Sequence, residues 1–309
     1  MRQNERSKIV YTANDVLVSV GAKMAIYNAI QTIINPGDEV ILPTPCWVSY
    51  SEMVKVAEGR VVNIATRMED QYCLTPDQLR KAITPKTRLL LLCTPNNPTG
   101  SVYSRKQLDE LVAVLEENPH VNILADEIYS PLVYGVESVS LAQYPQLADR
   151  LIVINGVSKA YAMTGYRIGW MLCKDAKFIS GCARLQGQQI TCATMVAQKA
   201  AEAAMKGSQD CVEDMRKVFE ERKELICKLA AEIPGFKFDE PKGAFYLFPN
   251  VSAIGSGDQV VEYLLEKAHV ACVSGSAFGC DDCIRLSYAI STEQIKEAMR
   301  RIKEALSQR

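Results

Sequence analysis

Several segments in the first half of the chain are apolar at nearly every position rather than at every second position. They cover residues 88–93, 121–125 and 151–155. A strand that is apolar on both faces belongs inside a parallel sheet covered on both sides, because a sheet with one wet face requires alternation. Helical patterns alternate with the strands along the chain, as at residues 22–34 and 104–117. This order predicts an α/β fold, an open and mostly parallel sheet covered by helices on both faces.

The rest of the pattern divides the chain into two parts. Further strands of the sheet are predicted at residues 16–20, 39–42 and 60–64, and further helices at residues 47–57 and 75–83. The tail differs, with a long helix at 210–233, strands at 243–248, 269–273 and 284–287, and helices at 258–267 and 292–306. We therefore predict a large domain over residues 1–212 and a smaller C-terminal α+β domain over residues 213–309.

Charge and hydrophobicity limit the classes of partner. The chain has 35 Lys and Arg against 36 Asp and Glu, so no basic field exists to hold a nucleic-acid backbone. No apolar run reaches the about 18 residues that span a bilayer, and residues 1–8 are polar, without the apolar segment of a signal peptide. We expect a cytoplasmic protein that binds neither nucleic acid nor membrane.

Eleven cysteines are scattered through the sequence, mostly in apolar stretches, where reduced thiols pack as small hydrophobic groups. Cys280 and Cys283 have C-x-x-C spacing, but a structural zinc site normally needs a second such pair. No second pair exists, and His120 and His269 are the only histidines of the sequence. We expect a loop before a strand here, without a metal or a redox role.

Ligands of an open α/β sheet bind at the carboxyl ends of its strands, so the residues that follow each strand are the candidates. Gly21 begins a helix and could cradle a phosphate, or simply form a tight turn. Asn97 lies in a proline-flanked loop that could equally be a plain turn. Asp126 ends a buried strand, where an acid needs a partner such as a protonated ring nitrogen. Lys159 is either a Schiff-base amine or a surface lysine.

The same residues lie in a recognisable set of motifs. The carrying segments are VSVGAKMAIYNAI, PGDEVILPTPCWVSY, TPNNPTG, ADEIY, SKAYAMTGYRIGW, GAFYLFP, SGSAFG and IRLSYA. In this order and spacing, from about Asn14 to the C-terminus, the chain resembles the class I/II, fold-type I, pyridoxal 5′-phosphate-dependent aminotransferases. Among them it is most similar to bacterial-type aspartate aminotransferases.

The resemblance implies pyridoxal 5′-phosphate as cofactor and a role for each matching residue. Lys159 would form the Schiff base with the cofactor and later move the substrate proton. Asp126 would face the pyridine nitrogen and keep it protonated. Tyr129 and Asn97 would contact the ring oxygen O3′, and Trp47 would stack on the ring.

The resemblance also assigns the two charged ends of the site. The residues that would hold the phosphate are Gly21, Ala22, Lys23, Ser158 and Arg167. Many relatives have a serine where this chain has Gly156, so Ser158 or backbone groups would have to replace that hydroxyl. Arg285 would pair with the substrate α-carboxylate, with Asn97 and Trp47 beside it, a geometry that lysine cannot copy.

The implied reaction moves the amino group of L-aspartate, or a similar L-amino acid, to 2-oxoglutarate in a homodimer. Members of the family carry a longer N-terminal segment that completes the dimer and the small domain, and residues 1–9 do not resemble it. We therefore expect a weakened dimer and weaker cofactor retention.

Other interpretations stay open. An aromatic or prephenate-type aminotransferase and a C–S lyase would share Lys159, Asp126 and Arg285. A truncated, non-catalytic paralogue is a further alternative. The effector domain of a transcription regulator would need a DNA-binding module, and the sequence has no basic helix-turn-helix.

Overall fold

A seven-stranded sheet forms the centre of the computed structural model, which describes residues 5–308. Its strands are β1 Val16–Val20, β2 Glu39–Thr44, β3 Arg60–Ala65, β4 Thr87–Cys93, β5 Asn122–Asp126, β6 Leu151–Gly156 and β7 Ile168–Leu172. Their spatial order is β1-β7-β6-β5-β4-β2-β3. The strand β7 is antiparallel to both neighbours, and all other pairs among β2 to β6 are parallel. The expected mostly parallel sheet is confirmed.

Helices cover both faces of this sheet. They are α1 Gly21–Ile33, α2 Ser49–Val56, α3 Pro76–Ala82, α4 Arg105–Glu116, α5 Ala176–Gln189 and α6 Met195–Lys206. One core cluster packs α1, α2 and α5 on one face, and a second packs α3 and α4 on the other. Within the described part of the chain, no helix is both long and apolar enough to cross a membrane.

The strand β4 shows why its sequence does not alternate. Leu89 and Leu91 belong to the cluster with α1, whereas Leu90 and Leu92 belong to the cluster with α4. All four are at most 2% exposed. Each fully buried leucine contributes about 1.5 to 3 kcal/mol, so an apolar side chain stabilises the fold on either face of this strand.

Local sequence fixes where the covering helices begin. The Thr75 hydroxyl accepts a hydrogen bond from the Gln78 amide, and the Gln78 side chain bonds back to Thr75. Ser104 and Gln107 form the same reciprocal cap at the start of α4. Such caps satisfy backbone N–H groups that the first helical turn leaves unpaired.

The tail folds around its own core. It contains α7 Asp210–Ala231, α8 Gly257–Tyr263 and α9 Thr292–Ser307, with an antiparallel sheet of β8 Tyr246–Leu247, β9 Val273–Ser274 and β10 Ile284–Ser287 in the order β8-β10-β9. The α+β character of the tail is confirmed. The boundary after residue 212 stays a prediction. It falls in the first turn of α7, and the core beneath α7 also contains Leu132 and Tyr134.

Several expected bounds are wrong. The strand expected at 243–248 is only Tyr246–Leu247, and the strand expected at 269–273 lies at Val273–Ser274. The second shift arises because α8 continues as the π-helix Leu264–Ala268 and ends at His269 with a left-handed backbone, φ 53°. The helix expected at 47–57 begins only at Ser49. The strand β7 and the helices α5 and α6 were not predicted from the sequence. Residues 1–4 of the polar start lie outside the described residues.

Gly169 in β7 provides a test of this packing. A Cβ there would collide with the backbone of Gly21 and Ala22, so Gly169→Ala must displace the start of α1. We expect this variant to lose about 1 to 3 kcal/mol of unfolding free energy in urea denaturation. The matched control is Gly187→Ala in α5, where a Cβ meets nothing within 4 Å and should stabilise the helix by about 0.5 to 1 kcal/mol. Equal effects of the two variants would contradict the close approach.

Candidate active site

A cavity of about 410 Å³ lies at the carboxyl ends of the sheet strands. The predicted site residues that line it are Ala22, Lys23, Trp47, Asn97, Asp126, Tyr129, Ser158, Lys159, Arg167 and Arg285. Gly21 is the one predicted residue that does not line it, and it lies directly beside Ala22. Two other cavities are larger, at about 660 and 630 Å³, but no buried acid lines either of them within residues 5–308. The arrangement of chemical groups, and not volume, therefore singles out this cavity.

Asp126 is the last residue of β5 and is 3% exposed. Its Oδ2 accepts a hydrogen bond from the Tyr50 hydroxyl at 2.7 Å, and its Oδ1 accepts one from the Ile128 amide at 3.2 Å. Burial raises the pKa of Asp126 to about 6, although both hydrogen bonds and the charge of Lys159 oppose the rise. Both groups that donate hydrogen bonds to Asp126 are neutral, so within residues 5–308 its carboxylate has no hydrogen-bonded cation.

Lys159 and Arg167 are held by one loop between two paired strands. The strands β6 and β7 are antiparallel, and the Val157 amide donates to the Ile168 carbonyl at 3.2 Å, which closes the base of the loop. Lys159 follows the end of β6, and Arg167 precedes β7. The unpredicted strand β7 is therefore what brings the lysine and the arginine to the same cavity.

The surroundings of Lys159 favour its neutral amine. Its Nζ lies 5.7 Å from the ring centroids of Tyr129 and Phe245. Burial lowers the pKa of Lys159, and the charges of Arg285 and Arg167 act in the same direction, while Asp126 opposes them. A larger neutral fraction makes a lysine a better nucleophile toward a carbonyl carbon.

Gly21 and Arg167 lie together at one corner of the cavity. Gly21 has φ 77°, and a Cβ at this position would collide with the Arg167 guanidinium. The first N–H groups of α1 begin at the same place, with the positive end of the helix dipole. Arg167 has φ 55°, a left-handed backbone that a non-glycine residue seldom adopts, and its Nη1 donates to the Thr164 carbonyl at 2.9 Å.

One wall of the cavity is aromatic. Trp47 meets the ring of Tyr50 edge to face, with centroids 5.3 Å apart, and the Lys23 Nζ lies 4.8 Å from the centroid of the Trp47 ring. Ser158 is buried and lines the cavity beside Lys159. Aromatic rings and the Lys23 ammonium group therefore line this part of the cavity.

Arg285 enters the cavity from β10 of the small domain. Its Nη1 donates to the Asn97 Oδ1 at 2.8 Å, which leaves the Asn97 amide NH₂ group as a donor for a ligand. The Arg285 guanidinium carbon lies 4.6 Å from the Tyr246 ring centroid and 4.8 Å from that of Phe278. Its Nε is buried and has no hydrogen-bond partner among residues 5–308, the kind of group that a carboxylate satisfies.

Six residues that line the cavity were not predicted from the sequence, and two of them, Tyr50 and Tyr246, form hydrogen bonds with predicted site residues. Tyr50 follows Trp47 by three positions, a spacing that places both on one side of a helical turn and could have suggested it. Tyr246 has its hydroxyl 2.9 Å from that of Tyr129, a contact between residues 117 positions apart. No local signal in the sequence could have revealed that contact.

The chain belongs to the aminotransferases of class I and II. The family model described as "Aminotransferase class I and II" matches residues 2–302. The resemblance deduced from the motifs is thereby confirmed, and the fold is that of the fold-type I aminotransferases.

Individual relatives are named for aspartate. The chain is 44% identical to an aspartate aminotransferase of Bacillus sp. (strain YM-2), over 96% of this chain and 77% of that protein. It is 41% identical to a bifunctional aspartate aminotransferase and glutamate/aspartate-prephenate aminotransferase of Petunia hybrida, over 98% of this chain and 66% of that one. The chain thus spans slightly less than two thirds of the Petunia protein.

Solved structures of aminotransferases superpose on nearly the whole of this chain. The crystal structure of the aspartate aminotransferase from Rhizobium meliloti superposes with a TM-score of 0.95 at 38% identity, covering 98% of this chain and 79% of that chain. An aromatic aminotransferase from Pyrococcus horikoshii OT3 superposes with a TM-score of 0.96 at 34% identity, covering 99% of this chain and 83% of that one.

The raised pKa of Asp126 predicts a pH-dependent effect on the stability of the cofactor-free protein. The folded state binds the Asp126 proton more tightly than the unfolded state, so ionisation weakens the fold as the pH rises from about 4 to about 6. Asp126→Asn removes that penalty and can still accept the bond from Tyr50.

Asparagine has a single acceptor oxygen, so Asp126→Asn loses one of the two hydrogen bonds at every pH. We expect its unfolding free energy, relative to that of the wild type, to rise by about 2 to 3 kcal/mol between pH 4 and pH 7, which corresponds to the difference between the two pKa values. Urea denaturation of both proteins between pH 4 and 8 measures this. A difference that does not change with pH would contradict the desolvated carboxylate.

Proposed function

We propose that the chain is a pyridoxal 5′-phosphate-dependent aminotransferase that moves the amino group of L-aspartate to 2-oxoglutarate. The observation that carries this proposal is the presence of Lys159 and the buried Asp126 in one cavity. The corner at Gly21 and Arg167 marks one end of that cavity, and Arg285 marks the other.

The residues present fit the cofactor. The buried Asp126 carboxylate has no hydrogen-bonded cation within residues 5–308. It would accept a hydrogen bond from the protonated ring nitrogen. Gly21, Ala22, Lys23 and Arg167 would hold the phosphate at the start of α1, with Ser158 beside them.

The remaining contacts would fix the ring. Trp47 would cover one of its faces. Asn97 and Tyr129 would donate hydrogen bonds to the ring oxygen. When bound, pyridoxal 5′-phosphate withdraws electrons from the bond between the substrate Cα and its hydrogen.

The chain's own residues would direct the proton and the substrate. Lys159 would hold the cofactor through Nζ, and its free amine would take the Cα proton from the substrate as a general base and deliver it to the cofactor as a general acid. Asp126 would keep the ring nitrogen protonated by its negative charge. Arg285 would bind the substrate α-carboxylate and Asn97 would hold Arg285, so that the Cα hydrogen lies toward Lys159.

The choice of substrate rests on the relatives. Those of Bacillus sp. and Rhizobium meliloti are named for aspartate, whereas those of Petunia hybrida and Nitrosomonas europaea are also named for prephenate. Prephenate-type amino transfer is therefore the second candidate. Initial rates with 2-oxoglutarate and prephenate as acceptors of the aspartate amino group separate the two. No turnover with any amino acid and 2-oxo acid pair would favour a non-catalytic paralogue.

A homodimer in the cytoplasm completes the proposal. Family resemblance supports the dimer, and analytical ultracentrifugation with and without cofactor tests it. All eleven cysteines are free thiols, which agrees with a reducing compartment. A monomer that keeps the cofactor would overturn the dimer and leave the chemistry of the site in place.

Attachment of the cofactor to Lys159 is directly testable. Borohydride reduction of the holoprotein followed by peptide mapping should place the cofactor label on Lys159, because its half-buried amine lines the same cavity as Asp126. Lys159→Ala should bind no cofactor covalently. The control Lys174→Ala, which removes an ion pair with Asp15 away from the cavity, should be labelled as the wild type. A label on Lys23 would refute the assignment.

A further inference from the structure

Tyr246 contacts two residues of the site, Tyr129 and Arg285. It lies on β8 and is 6% exposed. Its hydroxyl is 2.9 Å from the Tyr129 hydroxyl, and the Arg285 guanidinium carbon is 4.6 Å from its ring centroid. Tyr129 is the residue that would contact the cofactor, and Arg285 is the residue that would bind the substrate.

We propose that Tyr246 is a positioning residue with two separable functions. Its hydroxyl directs the Tyr129 hydroxyl toward the cofactor ring oxygen, and its ring holds Arg285 in place for the substrate carboxylate. This inference deepens the proposed function and rests on it.

The hydroxyl function follows from the number of hydrogens available. Tyr129 is 4% exposed, and one hydrogen lies between its oxygen and that of Tyr246. Each phenol has a single hydrogen to donate. If Tyr129 donates to a ligand, Tyr246 must therefore donate to Tyr129. Burial raises the pKa of both phenols, so each keeps its hydrogen. A donor that itself accepts a hydrogen bond is strengthened.

The ring function follows from the surroundings of Arg285. Tyr246 and Phe278 both contact its guanidinium, with distances of 4.6 and 4.8 Å from the guanidinium carbon to the ring centroids. The Arg285 Nη1 also donates a hydrogen bond to the Asn97 Oδ1 at 2.8 Å. Phenylalanine at position 246 would keep the aromatic face, whereas leucine would remove it.

Charged and titratable groups from several elements surround the cofactor position, and all of them stay unchanged in the variants below. They are Lys23 of α1, Tyr50 of α2, Cys93 of β4, Asp126 of β5, Tyr129, Arg167 and Arg285 of β10. A change in titration between the wild type and a variant at position 246 therefore reports on Tyr246.

The experiment uses the holoprotein and the variants Tyr246→Phe and Tyr246→Leu. The first readout is the pH midpoint of the visible absorbance, which reports the proton on the Lys159 nitrogen. The second is the dissociation constant of maleate, a dicarboxylate without an amino group, measured by calorimetry. The control is Tyr263→Phe, which loses a hydrogen bond to the Ala305 carbonyl and does not line the cavity.

Tyr246→Phe should raise the midpoint by about 0.5 to 1 pH unit, the effect of one neutral hydrogen bond. A weaker Tyr129 donor leaves more negative charge on the ring oxygen, and that charge holds the proton more tightly. Maleate affinity should stay within about twofold of the wild type. Tyr246→Leu should also weaken maleate binding about 3- to 20-fold, through the lost cation–π contact.

Three outcomes would overturn the inference. An unchanged midpoint in Tyr246→Phe would remove the hydroxyl function, and equal maleate affinities in both variants would remove the ring function. If the pH midpoint of the visible absorbance shifted by the same amount in Tyr263→Phe, the shift would be a general effect of losing a tyrosine hydroxyl group. A wild-type protein that develops no visible absorbance with the cofactor would instead contradict the proposed function itself.

A second, independent observation concerns Cys280 and Cys283. The expected loop before β10 is a β-turn, in which the Cys283 amide donates to the Cys280 carbonyl at 3.2 Å. The two sulfur atoms lie 3.1 Å apart. A β-turn keeps its end Cα atoms within about 7 Å, and disulfides need about 4.4 to 6.8 Å, so the backbone can accept the bond. No cluster of three metal-ligating side chains occurs in residues 5–308.

We propose that this pair is a reversible oxidation site for hydroperoxides. The Cys280 sulfur is partly exposed and would attack the peroxide oxygen, giving a sulfenic acid and releasing water or an alcohol. The buried Cys283 thiol would then attack the Cys280 sulfur, form the S–S bond and release one water. In total, two thiols lose two hydrogens while the hydroperoxide is reduced.

Intact-mass and peptide analysis of the holoprotein after treatment with hydrogen peroxide tests this proposal. We expect a loss of two hydrogens in the peptide with both cysteines, reversed by dithiothreitol and absent in Cys280→Ser. The matched control Cys192→Ser removes an exposed cysteine elsewhere and should not change the result. A sulfinic acid on Cys280, or two thiols that stay reduced while Cys192 is oxidised, would overturn the proposal.

Discussion

The groups of the site are arranged around one carboxylate, that of Asp126, which is buried at the end of the central strand β5. Asp126 is surrounded by the paired strands β4 and β6, and Tyr50 and a backbone amide stabilise its charge only in part. Burial therefore raises its pKa to about 6. Such an arrangement weakens the empty fold and is useful only when a cationic group binds above it.

The chain order of the sheet brings the other groups to that carboxylate. Because β7 is inserted between β1 and β6, the loop with Lys159 and Arg167 lies against the start of α1 at Gly21. The small domain adds Arg285 from β10, which is joined to Asn97 of the large domain by a hydrogen bond. The residues proposed to bind phosphate, the Lys159 amine and the Arg285 guanidinium therefore lie around one buried acid, although they are distant in sequence.

The parts that sequence could predict are those with a local signal. The uninterrupted leucines of β4 indicated a sheet covered on both faces. The rule that ligands bind at strand ends singled out Asp126 and Lys159, which line one cavity. The strand β7 was missed because it is only five residues long and Gly169 interrupts its apolar run. The bounds of β9 were wrong because the π-helix before it absorbs part of the expected strand. The contact between Tyr129 and Tyr246 depends on packing between distant segments, which periodicity does not encode.

The central claim is that Asp126 exists to hold a proton on the ring nitrogen of the cofactor. The most direct measurement is the ¹⁵N chemical shift of the ring nitrogen, with ¹⁵N-labelled pyridoxal 5′-phosphate bound to the wild type and to Asp126→Ala. The account predicts a protonated nitrogen in the wild type and a neutral nitrogen in the variant at the same pH. A neutral nitrogen in the wild type, or the same shift in both proteins, would contradict it.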